Sequence, residues 1–137
     1  MKKLPELKPL EERHKAVTEG RDLLIAKLEE LEEPYLVELL MSNDLKKSRK
    51  EYERRYQIWG SWTVHKRNEG AGDIEVFINE KTAWAFAKRG RAVADWIATL
   101  HGLYITGRGW KPNHFIPSDD EMVDYAQNRI NYMCREE

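Results

Sequence analysis

KTAWAFAKRGRAVADWIATLHGLYITGRGWK, residues 81–111, carries the strongest helix signal in the chain. Thr82 follows a polar run, and its hydroxyl could cap the start of a helix. Apolar residues then recur at spacings of three, four and seven, as on one face of a helix: Phe86, Val93, Ile97, Leu100 and Tyr104. The spacing therefore predicts a central helix over 82–102 that stops at Gly102.

Two further faces of this helix are informative. Small residues line one of them and would let another element approach closely: Ala83, Ala87, Gly90, Ala94 and Ala98. The face opposite the apolar one presents Trp84, Lys88, Arg91 and Asp95. It is either a solvated face with one half-buried tryptophan, or a surface where the tryptophan stacks and the cations meet phosphate or carboxylate.

Composition favours a globular protein. A chain of 137 residues is expected to form a single domain, 1–137. Charged residues reach 34%, but five Trp and six Tyr still supply a core. A lone cysteine excludes an internal disulfide framework. No apolar run is long enough for a membrane span, and MKKLPELK lacks the apolar core of a signal peptide. We therefore expect a cytoplasmic protein with no membrane partner.

Charge is unevenly distributed along the chain. Residues 1–45 carry 7 Lys and Arg against 11 Asp and Glu, residues 46–111 carry 14 against 7, and residues 112–137 carry 2 against 6. The middle segment is thus strongly basic between acidic ends. Such a layout indicates either internal pairing of the ends with the middle or an anionic partner for the middle segment.

The N-terminal third reads as a helical arm, residues 1–45, attached to a main globular part, 46–137. Pro9 suits the first turn of a helix, and Leu10, Val17, Leu24 and Leu31 follow at heptad spacing. Their pattern predicts an amphipathic helix that ends before Pro34. It packs on its own chain or on a second copy, so a homodimer through this helix is a further candidate.

A short helix should restart at Pro34, and the turn at 42–44 should precede a third helix, LKKSRKEYERRY. This third helix holds the densest cationic run: Lys46, Lys47, Arg49, Lys50, Arg54 and Arg55. It is either a solvated helix with local ion pairs or a nucleic-acid contact.

From Tyr56 the residues favour strands. The segment YQIWGSWTVHK is rich in aromatic and β-branched residues. The residues RNEGAG are typical of a turn, and residues 73–79 alternate between apolar and polar side chains. Together they predict a β-hairpin over about 56–79. The alternative continues the third helix through Trp62.

After the central helix, 106–113 reads as a loop in which Arg108 lies between two glycines, beside Trp110 and Lys111. Ser118 and Glu121 then form a capping box for a C-terminal helix, 118–135. Its predicted buried face comprises Met122, Ala126, Ile130 and Met133.

No pattern of catalytic or metal-binding residues is specific enough to name a reaction. The four histidines are scattered without metal-ligand spacing, and no phosphate-binding loop or nucleophile motif occurs. We expect a non-enzymatic protein without metal or cofactor.

The expected fold is α+β and predominantly helical, with an N-terminal helical arm, one β-hairpin, a central helix and a C-terminal helix. The leading hypothesis is an accessory or regulatory protein that binds DNA or RNA through its basic middle. The alternative is a protein-binding module, an inhibitor or adaptor, that docks onto a larger protein through an amphipathic helix and exposed aromatics. The candidate nucleic-acid-binding residues are Lys46, Lys47, Arg49, Lys50, Trp84, Lys88, Arg91, Arg108, Trp110 and Lys111.

Overall fold

The computed structural model describes residues 10–67, 77, 79–113 and 117–135. Within these residues the chain forms five helices and one two-stranded antiparallel sheet. The elements are α1 (Leu10–Glu30), α2 (Pro34–Ser42), α3 (Leu45–Arg67), α4 (Glu80–Leu100), β1 (Leu103–Thr106), β2 (Gly109–Pro112) and α5 (Asp119–Cys134). The predicted class, a predominantly helical α+β fold, is confirmed. In this part of the chain no helix has an apolar stretch long enough to cross a bilayer.

The central helix, α4, is confirmed, but its cap differs from the prediction. The side-chain oxygen of Asn79 accepts the backbone N–H of Thr82 at 2.9 Å, so Asn79 is the N-cap and Thr82 lies in the first turn. Val93 and Ile97 are fully buried, as predicted. Tyr104 was wrongly placed on the same face: the helix ends at Leu100, and Tyr104 lies on β1 with 47% of its surface exposed.

The small-residue face of α4 lies against α3, as its composition predicts. Ala83, Ala87 and Gly90 are buried there. The aliphatic part of Arg55 crosses Gly90 so closely that a β-carbon on Gly90 would lie 2.7 Å from the Arg55 Cδ. Glycine at this position therefore sets how closely the two helices approach.

The hairpin predicted over 56–79 is wrong in its first half. Residues 56–67 continue α3, because Trp59 and Trp62 lie three positions apart on the side of the helix that packs on α4. Burial of these rings outweighs their preference for strands. Of the second half, residues 73–76 and 78 lie outside the described residues, while Phe77 is buried against Phe86.

The observed hairpin begins at Leu103 and runs through most of the segment 106–113 that was predicted as a loop. β1 and β2 pair in antiparallel register, from Leu103 opposite Pro112 to Thr106 opposite Gly109. Gly109 adopts a φ of +113°, which glycine tolerates best. The Thr106 hydroxyl donates to the Gly109 carbonyl at 2.7 Å and closes the turn. Alternation over only four residues was too short to indicate a strand.

The main core forms where α1, α2 and α5 pack around α4. Leu24 and Leu28 of α1, Leu36 of α2 and Met122 of α5 are all fully buried with Trp96 of α4. The capping box at the start of α5 is confirmed, with the Ser118 N–H donating to the Glu121 carboxylate at 3.0 Å. The predicted face of α5 is also confirmed. The apolar face of α1 is therefore covered by the protein's own chain.

An ion cluster links α2, α3 and α4. Arg55, which is only 2% exposed, donates to both carboxylate oxygens of Glu33 at 2.8 and 3.0 Å and to Glu51 at 2.6 Å. Its guanidinium also lies 4.1 Å from the centre of the Phe86 ring. The interpretation of Arg55 as part of a solvated basic face is thus wrong, since this arginine is a buried cross-link between helices.

Candidate nucleic-acid interface

The polar face of α4 lies between α3 and α5. The Trp84 ring packs on Trp59, with ring centres 4.7 Å apart, and meets the edge of Tyr56. Lys88 is only 4% exposed, and its ammonium donates to the main-chain carbonyl of Arg135. Of these two candidate residues, Lys88 is therefore buried and Trp84 is partly buried by its contacts with α3.

Arg91, a third candidate on this face, is also engaged. Its Nε donates to Asp95 at 3.0 Å, and Asp95 receives a second ion pair from Arg129 of α5. Burial disfavours the charged guanidinium, but the adjacent Asp95 carboxylate outweighs it and raises the pKa of Arg91. The Arg91 guanidinium is thus charged and held by Asp95, which it shares with Arg129.

The cations at the start of α3 are different. Ser48 and Glu51 are buried and mark the inner side of α3. The opposite side of the helix therefore faces solvent. Lys46, Lys47 and Lys50 are exposed, and among the described residues their ammonium groups take part in no hydrogen bond or ion pair. By helical rotation Lys46 and Lys50 lie one turn apart on the outer side of α3.

Arg49 joins α3 to the hairpin. Its guanidinium lies 5.6 Å from the centre of the Trp110 ring on β2, and Trp110 in turn meets the edge of Tyr52 at 6.2 Å. Arg49 is exposed and pairs with Glu53 at 3.2 Å. The contact places Arg49 of α3 directly beside the hairpin.

The hairpin carries two further exposed cations, of which Lys111 directly follows Trp110 and so projects from the other face of the two strands. Arg108 is exposed at the turn, and Lys111 is exposed on β2 opposite Tyr104. Neither side chain forms an ion pair with another residue that the structure describes. We call the exposed cations of α3 and the hairpin, together with Trp110, the basic face: Lys46, Arg49, Lys50, Arg108, Trp110 and Lys111.

Lys47 lies at the edge of the basic face on α3. It is about 160° around the helix from Arg49 but only about 60° from Lys50, so it adjoins the side of the face that is remote from Trp110. Of the ten predicted residues, six therefore lie on α3 and the hairpin as the basic face, Lys47 adjoins them, and Trp84, Lys88 and Arg91 contact neighbouring helices.

Sequence reasoning missed what supports Trp110. The ring of Tyr52 makes an edge-on contact with the Trp110 ring. The Arg91 guanidinium lies 5.7 Å from the centre of the same Tyr52 ring. The only sequence signal was the position of Tyr52 on the apolar side of α3. Its partner could not be found without knowing that residues 103–112 form a hairpin packed on α4.

The described residues include no group of three or more His, Cys, Asp or Glu side chains arranged to hold a metal ion. Comparison of the chain with protein-family models, with curated proteins and with solved structures gave no match.

Proposed function

We propose that this protein is a non-enzymatic nucleic-acid-binding protein that contacts the phosphate backbone through the basic face. The observation that carries the proposal is the set of cations without a partner among the described residues: Lys46, Lys50, Arg108 and Lys111. Exposed lysines and arginines on one surface attract phosphate, because neutralising the phosphates releases their condensed counterions.

The contact of Arg49 with Trp110 supports the same proposal. A guanidinium beside an indole offers both a phosphate donor and flat surfaces on which a base can stack. Stacking on an aromatic ring favours single-stranded nucleic acid, since its bases are free to leave the helix stack. We therefore expect single-stranded RNA or DNA to bind more tightly than duplex of the same length.

Fluorescence anisotropy with labelled single strands and duplexes, at several salt concentrations, tests the proposal. The double variant Lys46→Glu/Lys50→Glu should weaken binding to nucleic acid of any base sequence. It should also flatten the dependence of log K on log salt by about 1.4 for a single strand, because each lost phosphate contact contributes about 0.7.

The matched control is Lys15→Glu/Lys27→Glu on α1, which changes the net charge equally but away from the basic face. It should leave the salt slope of binding unchanged. Equal weakening by both double variants would show a response to net charge alone and would contradict the proposed face. If the unaltered protein binds neither DNA nor RNA at about 50 mM salt, the result favours the alternative, a protein-binding module.

A further inference from the structure

A cavity of about 790 Å³ opens at the end of α4 opposite the hairpin. It is lined by the first turns of α4, the end of α5, Trp59 of α3 and Leu31, which directly follows α1. Its size lies within the range of small-molecule sites. Trp84 and Ala98, which packs against the hairpin, are fourteen positions apart on α4, so the cavity and the basic face are separated by roughly 20 Å along the helix.

Lys88 is a buried cation beside this cavity. It is 96% buried, yet its partners are a main-chain carbonyl, that of Arg135, and the face of Trp84 at 6.0 Å. No carboxylate of the described residues forms an ion pair with it. Buried charges are normally neutralised by an opposite charge, because neither a carbonyl dipole nor a ring face replaces the lost hydration.

Arg89 adds a second incompletely compensated cation. Its Nη1 reaches Glu33 at 3.4 Å, but the same Glu33 carboxylate already accepts two shorter bonds from Arg55. The Arg89 Nε is buried and has no hydrogen-bond partner among the residues that the structure describes. Both cations line one cavity, and Glu80, the carboxylate among the lining residues that the structure describes, forms an ion pair with neither of them.

One part of the remaining wall is apolar and flat, while Glu80, Lys81 and Arg135 contribute polar groups elsewhere in the lining. Trp84 packs on Trp59 with ring centres 4.7 Å apart, and Met133, 3% exposed, closes the side formed by α5. A ligand that satisfies both parts of the wall carries a negative group for the cations and a planar apolar body for the rings and the thioether.

We propose that this cavity binds a small aromatic anion, with its carboxylate or phosphate at Lys88 and Arg89 and its ring system against Trp84 and Met133. This site is separate from the basic face, and neither proposal depends on the other.

Isothermal titration calorimetry of the full chain with 2-naphthoate and with uncharged 2-naphthalenemethanol tests the site. The two probes share the ring system and differ in the negative group. Naphthoate should bind at least about tenfold more tightly, because only the anion compensates the buried cations. Equal affinities, or no heat of binding with naphthoate up to about 1 mM, would overturn the proposal without any variant.

Variants then assign the anion contact to Lys88. Lys88→Met keeps the length of the side chain and removes its charge, so it should lower the naphthoate affinity about tenfold or more and leave the affinity for the uncharged probe unchanged. Arg89→Gln should act in the same direction and serves where the first variant does not fold. The control Lys50→Met, the same change at an exposed lysine on the basic face, should alter neither affinity. Unchanged naphthoate binding by both cavity variants would exclude this anion site.

Discussion

Gly20 lies in the middle of α1, where glycine costs about 1 kcal/mol relative to alanine. The structure explains its presence, since a β-carbon there would collide with the ring of Trp96 and lie 3.2 Å from the Met122 carbonyl. Trp96 is 1% exposed and cannot move aside. Gly20→Ala should therefore lower the free energy of unfolding by about 1–3 kcal/mol, as overpacked cores do, measured by urea denaturation.

Gly60 is the matched control at the residue scale. It also lies inside a helix, α3, but a β-carbon there would meet nothing within 4 Å. Gly60→Ala should raise the free energy of unfolding by about 0.5–1 kcal/mol, because alanine loses less backbone entropy in a helix. Equal effects at both glycines would show that the Trp96 contact does not limit the packing of α1.

At the scale of elements, the ion cluster of Arg55 fixes α3 against α2 and α4. Replacing Arg55 with methionine would remove the ion pairs that this arginine forms with Glu33 and Glu51 and leave both carboxylates buried. The free energy of unfolding should fall by about 3–5 kcal/mol. The control Arg54→Met removes a neighbouring pair to the same Glu51 at an arginine that is 54% exposed, and should cost no more than about 1 kcal/mol. Chemical denaturation of both variants measures these two changes in the free energy of unfolding.

The same cluster makes stability depend on pH. Burial raises the pKa of Glu51, but hydrogen bonds from Arg54 and Arg55 outweigh it and hold the pKa below its ordinary value of 4.5. A carboxyl group whose pKa is lowered by folding stabilises the protein above the ordinary pKa and loses this contribution as pH falls through the lowered value. Glu51→Gln should therefore flatten the acid side of the stability curve, and an unchanged curve would contradict the role of this carboxylate.

For the whole molecule, the test is whether α1 belongs to the same cooperative unit as α4. Leu24 and Leu28 share one core with Trp96 and Met122. Deleting residues 1–30 exposes that core, so the melting midpoint should fall by at least about 10 °C or the cooperative transition should disappear in circular dichroism. Deleting only residues 1–9, which precede α1, should change neither. An unchanged melt of the longer deletion would mean that α1 is an independent appendage.

The sequence by itself determined the features that depend on near neighbours. The presence of α4 and α5, the capping box of Ser118 and the small-residue face at Gly90 all follow from spacings within a few turns. These signals are local because hydrogen bonds of caps and the 3.6-residue period involve residues close in sequence.

Only the tertiary structure decided which charges and rings are free. Residues 56–67 are helical because their tryptophans bury against α4, which no local propensity reveals. Lys88 and Lys50 have the same side chain, yet one is enclosed between α4 and α5 and the other faces solvent. The meeting of Arg49 with Trp110 likewise requires α3 and the hairpin to pack on the same helix. The candidate interface is therefore a property of packing, because solvent exposure is set by the elements that cover a residue and not by the residue itself.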